Sequence, residues 1–127
     1  MAERIRTDRG DIDIDDASVI EIVRSGDELR IVVDRGSVHD AGNVEATGRL
    51  SLILRGVTRE RAVKYIGAGI EHPHSDPSHP LDVIEVVEYS RGNLTLQGYL
   101  RNEPWYSWEL SAQGLAVSWA ATTAHAI

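Results

Sequence analysis

The amino-acid sequence predicts an all-β fold: an antiparallel meander forming a β-sandwich or a flattened barrel, with one short helix near 58–66 as an open alternative to a further strand. Three observations carry this. Apolar and β-branched residues alternate with polar ones along most of the chain, at the period of a strand rather than of a helix. Glycine beside Asp or Asn falls between two pairs of these runs and supplies the positive φ of a tight hairpin turn. The connections in the second half are too short to hold crossover helices, so successive strands there run antiparallel.

Residues 18–24 and 28–34 flank Ser25-Gly26-Asp27 and form a first hairpin. The polar, glycine-containing stretch 34–48 reads as a long surface loop. Leu50, Leu52 and Leu54 alternate with Ser51, Ile53 and Arg55, which makes a strand with one buried face, ended by Gly56. Residues 57–66 form a helix if Thr58 is its N-cap, with Ala62, Val63 and Ile66 inward; they read nearly as well as a strand. Residues 82–89 and 94–101 flank Arg91-Gly92-Asn93, a second hairpin. Asn102-Glu103-Pro104 interrupts next, because proline cannot donate into a ladder. Strands 105–111 and 115–120, separated by Ala112-Gln113-Gly114, complete the meander. The alternation sends Ile20, Ile22, Leu29, Ile31, Val33, Leu50, Leu52, Leu54, Ile84, Val86, Leu94 and Leu96 to the core. Tyr106, Trp108, Leu110, Leu115, Val117 and Trp119 join them, while Trp105 points the other way.

The chain of 127 residues fits one domain, 1–127, with an ordered core of about 16–120 and loose ends at 1–10 and 121–127. It contains no cysteine, which excludes disulfides, thiolate nucleophiles and thiolate metal sites. Residues 1–6 lack the apolar run of a signal peptide and no stretch reaches membrane-spanning length, so a cytoplasmic protein with no membrane partner is expected.

A net charge of −7 argues against nucleic acid as a partner, since phosphates reward clustered cations. The charge is uneven: eleven acids against six bases in 1–40, and seven against two in 71–127. Between them Arg49, Arg55, Arg59, Arg61 and Lys64 outnumber Glu45 and Glu60. That reversal is either an anion-binding face or a solvated segment whose cations pair with acidic neighbours; exposed charges favour the second.

Ligand chemistry concentrates in residues 71–80, which hold three of five histidines and three of four prolines. His72, His74, Asp76 and His79 have side chains that coordinate zinc or another first-row ion when a loop curls around it. Against this, the prolines after His72, Asp76 and His79 favour extended backbone and splay the side chains. An exposed connector also has this composition. The H-x-H-x-D run is shared with metallo-β-lactamase-like hydrolases, but their next histidine is Pro77 here and the chain is too short for that fold. Asp11, Asp13, Asp15 and Asp16 lack the turn glycine and closing glutamate of a calcium loop, and alternate with Ile12 and Ile14 as on an edge strand. His39-Asp40 suggests half of a catalytic dyad with no specified partner; no nucleophile elbow, P-loop or dinucleotide fingerprint is present.

The runs Asp16-Ala17-Ser18-Val19-Ile20-Glu21-Ile22, Gly26-Asp27-Glu28-Leu29-Arg30-Ile31, Leu52-Ile53-Leu54-Arg55-Gly56-Val57, Trp108-Glu109-Leu110 and Val117-Ser118-Trp119 resemble a group of small bacterial β proteins. Some of that group are immunity proteins of toxin systems. The likeness spans residues 16–119 and implies a partner-binding β domain without catalysis; it carries no site residues. The expectation is therefore a noncatalytic binding domain without cofactor, engaging a protein partner through an acidic surface. Glu85, Glu88 and Glu109 supply charge to a basic partner and Trp105 an anchor. The alternative is a metal-binding module or metal-dependent enzyme that uses the 71–80 loop with a divalent ion such as zinc. Open sheet edges also allow a homo-oligomer.

Overall fold

A computed structural model describes residues 5–7, 10–41, 43–67, 69–74 and 76–119. They form β1 (Ile5–Thr7), β2 (Gly10–Asp13), β3 (Val19–Ser25), β4 (Glu28–Asp40), β5 (Asn43–Tyr65), β6 (Glu71–Pro73), β7 (Val83–Ser90), β8 (Asn93–Leu100) and β9 (Glu103–Ser118). No helix occurs among the described residues, and one antiparallel sheet curls into a half-barrel. Its order is β1-β2-β4-β5-β9-β8-β7, with β3 also on β4 and β6 also on β5.

The longest strands make a central ribbon. β5 and β9 pair from Ser51↔Ser118 to Lys64↔Tyr106, and the register shifts once, between Val57 and Arg59. Opposite that shift lies the segment 112–114, so the two places where the sequence suggests a chain break meet at one level of the sheet and form a shared bend. A β-bulge kinks and twists its strand without ending it. The tips of the two hairpins rest on this bend: Val57 N–H donates to Asp27 O and Ala112 N–H to Gly92 O, both at 2.9 Å. At those tips Gly26 has φ +62°, while Arg91 and Gly92 are at +53° and +82°, backbone that matches two-residue loops.

A second bulge, between Ile84 and Val86, swings the start of β7 across the open side of the sheet. There Asp16 N–H donates to Ile84 O, Ile84 N–H to Ala17 O and Val19 N–H to Asp82 O. Gly98 permits the crossing: a Cβ on it would stand well inside van der Waals contact of Val83 O and 3.1 Å from Glu85 N. The core inside the curl holds Ile12, Ile14, Ile31, Leu50, Leu52, Leu54, Leu81, Ile84, Leu94, Leu96 and Trp108, all fully buried.

Several sequence expectations change. The stretch 57–66 is strand, not helix, to Tyr65, because Arg59 to Lys64 bond β9 on one side and Val63 to Tyr65 bond β6 on the other. The expected loop at 34–48 is the hairpin end of β4 and β5, with Gly36 paired to Gly48. The break at 102–104 is the turn Arg101-Asn102, whose φ angles of +52° and +65° carry β8 directly into β9. Of the ends expected to be loose, Ile5–Thr7 forms β1 and Gly10 begins β2, while 121–127 lie outside the described residues. Bulges also reverse two faces: Val19 and Val87 are buried where alternation selects Ile20 and Val86.

Candidate functional site

The loop 71–82 is built from its own hydrogen bonds. His74, 8% exposed, accepts from Asp76 N–H at Nδ1 (2.8 Å) and donates from Nε2 to Pro80 O (2.9 Å). That pattern fixes the neutral Nε2–H tautomer. Its ring lies 5.1 Å from the Tyr106 ring. Asp76 accepts from the Ser78 hydroxyl at 2.7 Å and from Arg101 at 3.3 Å. The serine bond, aided by the charge of Arg101, holds the Asp76 carboxyl below its ordinary pKa. His79 donates to Asp82 at 2.7 Å, and the other oxygen of Asp82 accepts from the Arg101 N–H at 2.7 Å. His72 stands exposed on β6, paired with Lys64. Thus His72, His74, Asp76 and His79 share one segment but not one centre, and no three His, Asp or Glu side chains are grouped to hold a metal ion among the described residues.

Arg24 ties this loop to the barrel. Its guanidinium makes two bonds to the Glu60 carboxylate (2.7 and 3.3 Å) and reaches Ser78 O (3.0 Å) and Pro77 O (3.4 Å). Glu60 also accepts from the indole N–H of the fully buried Trp108 at 2.9 Å. Arg24, Glu60, Ala62, Pro77 and Ser78 line an open cleft of about 350 Å³. The sequence does not signal this network, since Glu60 and Trp108 are 48 residues apart and only the β5–β9 register makes them neighbours.

The outer face of β7, β8 and β9 carries three of the partner-binding candidates. Trp105 and Glu109 point outward in alternation with Tyr106, Trp108 and Leu110. Trp105 is half-buried and edge-on to Tyr99, with ring centroids 6.1 Å apart and planes at 78°. Glu88 lies across β8 from Glu109, both paired with Thr95. Glu109 is already matched by Arg61 (3.3 Å) and Arg59 (3.8 Å), whereas Glu85 and Glu88 make no ion pair among the described residues. Glu85, in the β7 bulge, is driven to a raised pKa chiefly by its hydrogen bond with Asp16, then by partial desolvation and the charges of Asp16 and Asp15.

The cationic stretch behaves as a solvated, paired segment: Arg55 meets Glu28, Lys64 meets Glu103, and Arg61 bonds both Glu109 and Glu71. The Arg61 hydrogen bond, with a smaller contribution from the Tyr65 hydroxyl, lowers the pKa of Glu71. His39 and Asp40 do not form a dyad, since successive strand residues face opposite ways. Instead His39 Nε2 lies 2.8 Å from Ser37 Oγ, and Asp11 is its cross-strand neighbour. Asp13 bonds the backbone N–H of Asp15 at 3.0 Å, and both line a shallow cleft of about 210 Å³ with Arg35, Gly36 and Ser37.

Among the described residues no helix is long and apolar enough to cross a membrane. Comparison with protein-family models, with curated proteins and with solved structures finds no match.

Proposed function

We propose that this protein is a noncatalytic binding domain that engages a basic protein partner through the outer face of β7–β9, in the manner of the small bacterial immunity-like β proteins that its sequence resembles. The observation that carries the proposal is the half-exposed Tyr99–Trp105 pair, set on a face whose Glu88, like Glu85 in the adjoining bulge, makes no ion pair among the described residues. Aromatic side chains that keep one surface toward water anchor interfaces at small entropic cost. Unmatched carboxylates around them steer a cationic surface into place and reject an acidic one.

The test is parallel affinity capture from native lysate with the wild-type protein and a Trp105→Ala/Glu88→Lys variant, each at low and high salt. A protein retained by the wild type, lost by the variant and released by salt supports the proposal. If nothing distinguishes the two baits, the proposal fails. Far-ultraviolet circular dichroism of both baits establishes that a difference in capture does not come from unfolding.

A further inference from the structure

We propose that β3 pairs edge to edge with β3 of a second copy, about a two-fold axis at Ile22, so that the sheet continues through a homodimer. This surface is separate from the outer face of β7–β9 and stands without that reading. β3 is bonded by β4 on one side only, and the bridge to the 82–84 segment ends at Val19. The hairpin closes at Ser25↔Glu28 with a two-residue loop, so the pairs Ser25, Val23 and Glu21 exchange ladder bonds with β4. The backbone N–H and C=O groups of Ile22 and Arg24 therefore point to the open side.

Two large apolar side chains flank this edge in solvent, Ile20 at 43% and Val23 at 42% exposure. A long edge of β-branched residues is a template for pairing unless charge or proline blocks it. Arg24, whose side chain shares the inner surface with Leu29, bonds Pro77 O and Ser78 O, while Glu21 and Val23 of the outer surface stay exposed.

Charge selects both the occupant and the register. On the outer surface Glu21 is paired with Val32, Val23 with Arg30 and Ser25 with Glu28. Glu21 and Arg30 are exposed and make no ion pair among the described residues. A two-fold axis at Glu21 would set that carboxylate against its own copy. An axis at Val23 would set Glu21 against Ser25, with Glu28 next in the row. The axis at Ile22 sets Glu21 of one copy against Val23 of the other, with Arg30 beyond it. Two strand spacings, about 10 Å, separate those backbones, within reach of a glutamate and an arginine extended toward each other. The same pairing recurs by symmetry, and Val23 of each copy packs diagonally against the other.

Sedimentation equilibrium at physiological salt tests the proposal, because with a charge of −7 on each copy, low salt would oppose association. The wild type should dimerise with concentration. Val23→Lys and Glu21→Arg should each weaken the association constant about tenfold or more. Arg30→Glu combined with Glu21→Arg in one chain should restore it, since the reversed charges face each other again. This rescue also keeps the proposal testable if Val23→Lys fails to fold. A protein that stays monomeric at its solubility limit would overturn the proposal. So would a dimer indifferent to Val23→Lys and to both charge reversals.

Discussion

Replacing Glu60 separates two roles that this side chain combines. It accepts the indole N–H of a tryptophan with no exposed surface, and it pairs with Arg24 at a partly exposed position, where the two side chains are 28% and 37% accessible. A buried donor stripped of its acceptor costs about 1–3 kcal/mol. An ion pair as accessible as Arg24–Glu60 contributes about 0–1 kcal/mol. Glu60→Ala removes both and should destabilise the fold by about 2 kcal/mol, a fall in Tm of about 8 °C for a domain of this size. Glu60→Gln keeps a carbonyl oxygen for the indole and loses only the charge, so it should cost below about 1 kcal/mol. Urea unfolding of the two variants and of the wild type, followed by tryptophan fluorescence, measures the difference. If Glu60→Gln proves as costly as Glu60→Ala, the ion pair dominates and the reasoning about the buried indole is wrong. If Glu60→Ala costs less than about 0.5 kcal/mol, the indole finds another acceptor and its bond to Glu60 has no energetic role.

Three further outcomes are expected. Gly98→Ala should destabilise by about 1–3 kcal/mol or more, because the new methyl meets the backbone of Val83 and Glu85, which cannot step aside as a side chain tip can; an unchanged urea midpoint would contradict the close crossing of β7. Acid should move Glu85 and Asp76 in opposite senses. The raised pKa of Glu85 means that its ionised form is disfavoured in the fold, so Glu85→Gln should raise Tm near neutral pH and lose that advantage below the unfolded carboxyl value of about 4. The lowered pKa of Asp76 stabilises the fold above about pH 4, so Asp76→Asn should lower Tm at neutral pH and converge with the wild type as acid protonates the folded carboxyl; parallel Tm–pH curves would refute both. His74→Phe keeps a ring against Tyr106 but deletes the bonds to Asp76 N–H and Pro80 O, so amide exchange should quicken in 76–82 while the β5–β9 ribbon keeps its protection.

Much of the fold was legible because each signal is local. Gly26 and Gly92 mark two-residue turns through backbone conformations that other residues adopt only at a cost, and they stand at the tips of both expected hairpins. The alternation of Leu50, Leu52 and Leu54, or of Tyr106, Trp108 and Leu110, identifies the inner face because a strand turns successive side chains to opposite sides. What failed was the interpretation of interruptions. Gly56, the 112–114 segment and the polar residues of 34–48 all look like strand ends, yet they lie where the sheet bends or bulges to close around its core. A bend and an end use the same residues, since both need a chain that leaves the flat pleat. Only the partner strand tells them apart. The misassigned Ile20 and Val86 have the same origin, because one inserted residue reverses every alternation beyond it.

The site was less legible for a related reason: composition shows which groups are present but not where their valences go. The 71–80 segment collects the residues of a metal site. In the fold, both nitrogens of His74 are committed to backbone, His79 to Asp82, and Asp76 to Ser78 and Arg101. A proline-rich segment cannot satisfy itself through a ladder, so its carbonyls and amides need side-chain partners, and histidine can serve as donor and acceptor at once. The same requirement explains Arg24, whose contacts with Pro77 O and Ser78 O meet carbonyls that no strand reaches. Functional weight then shifts to groups that the fold leaves unmatched. Among the described residues those without an ion pair include Glu88 on the outer face of β7–β9, Glu85 in the β7 bulge, and Glu21 with Arg30 beside the open edge of β3. Composition points to Glu85 and Glu88 but not to Glu21 and Arg30, and in both sets it is the sheet register that shows which neighbouring charges are already paired.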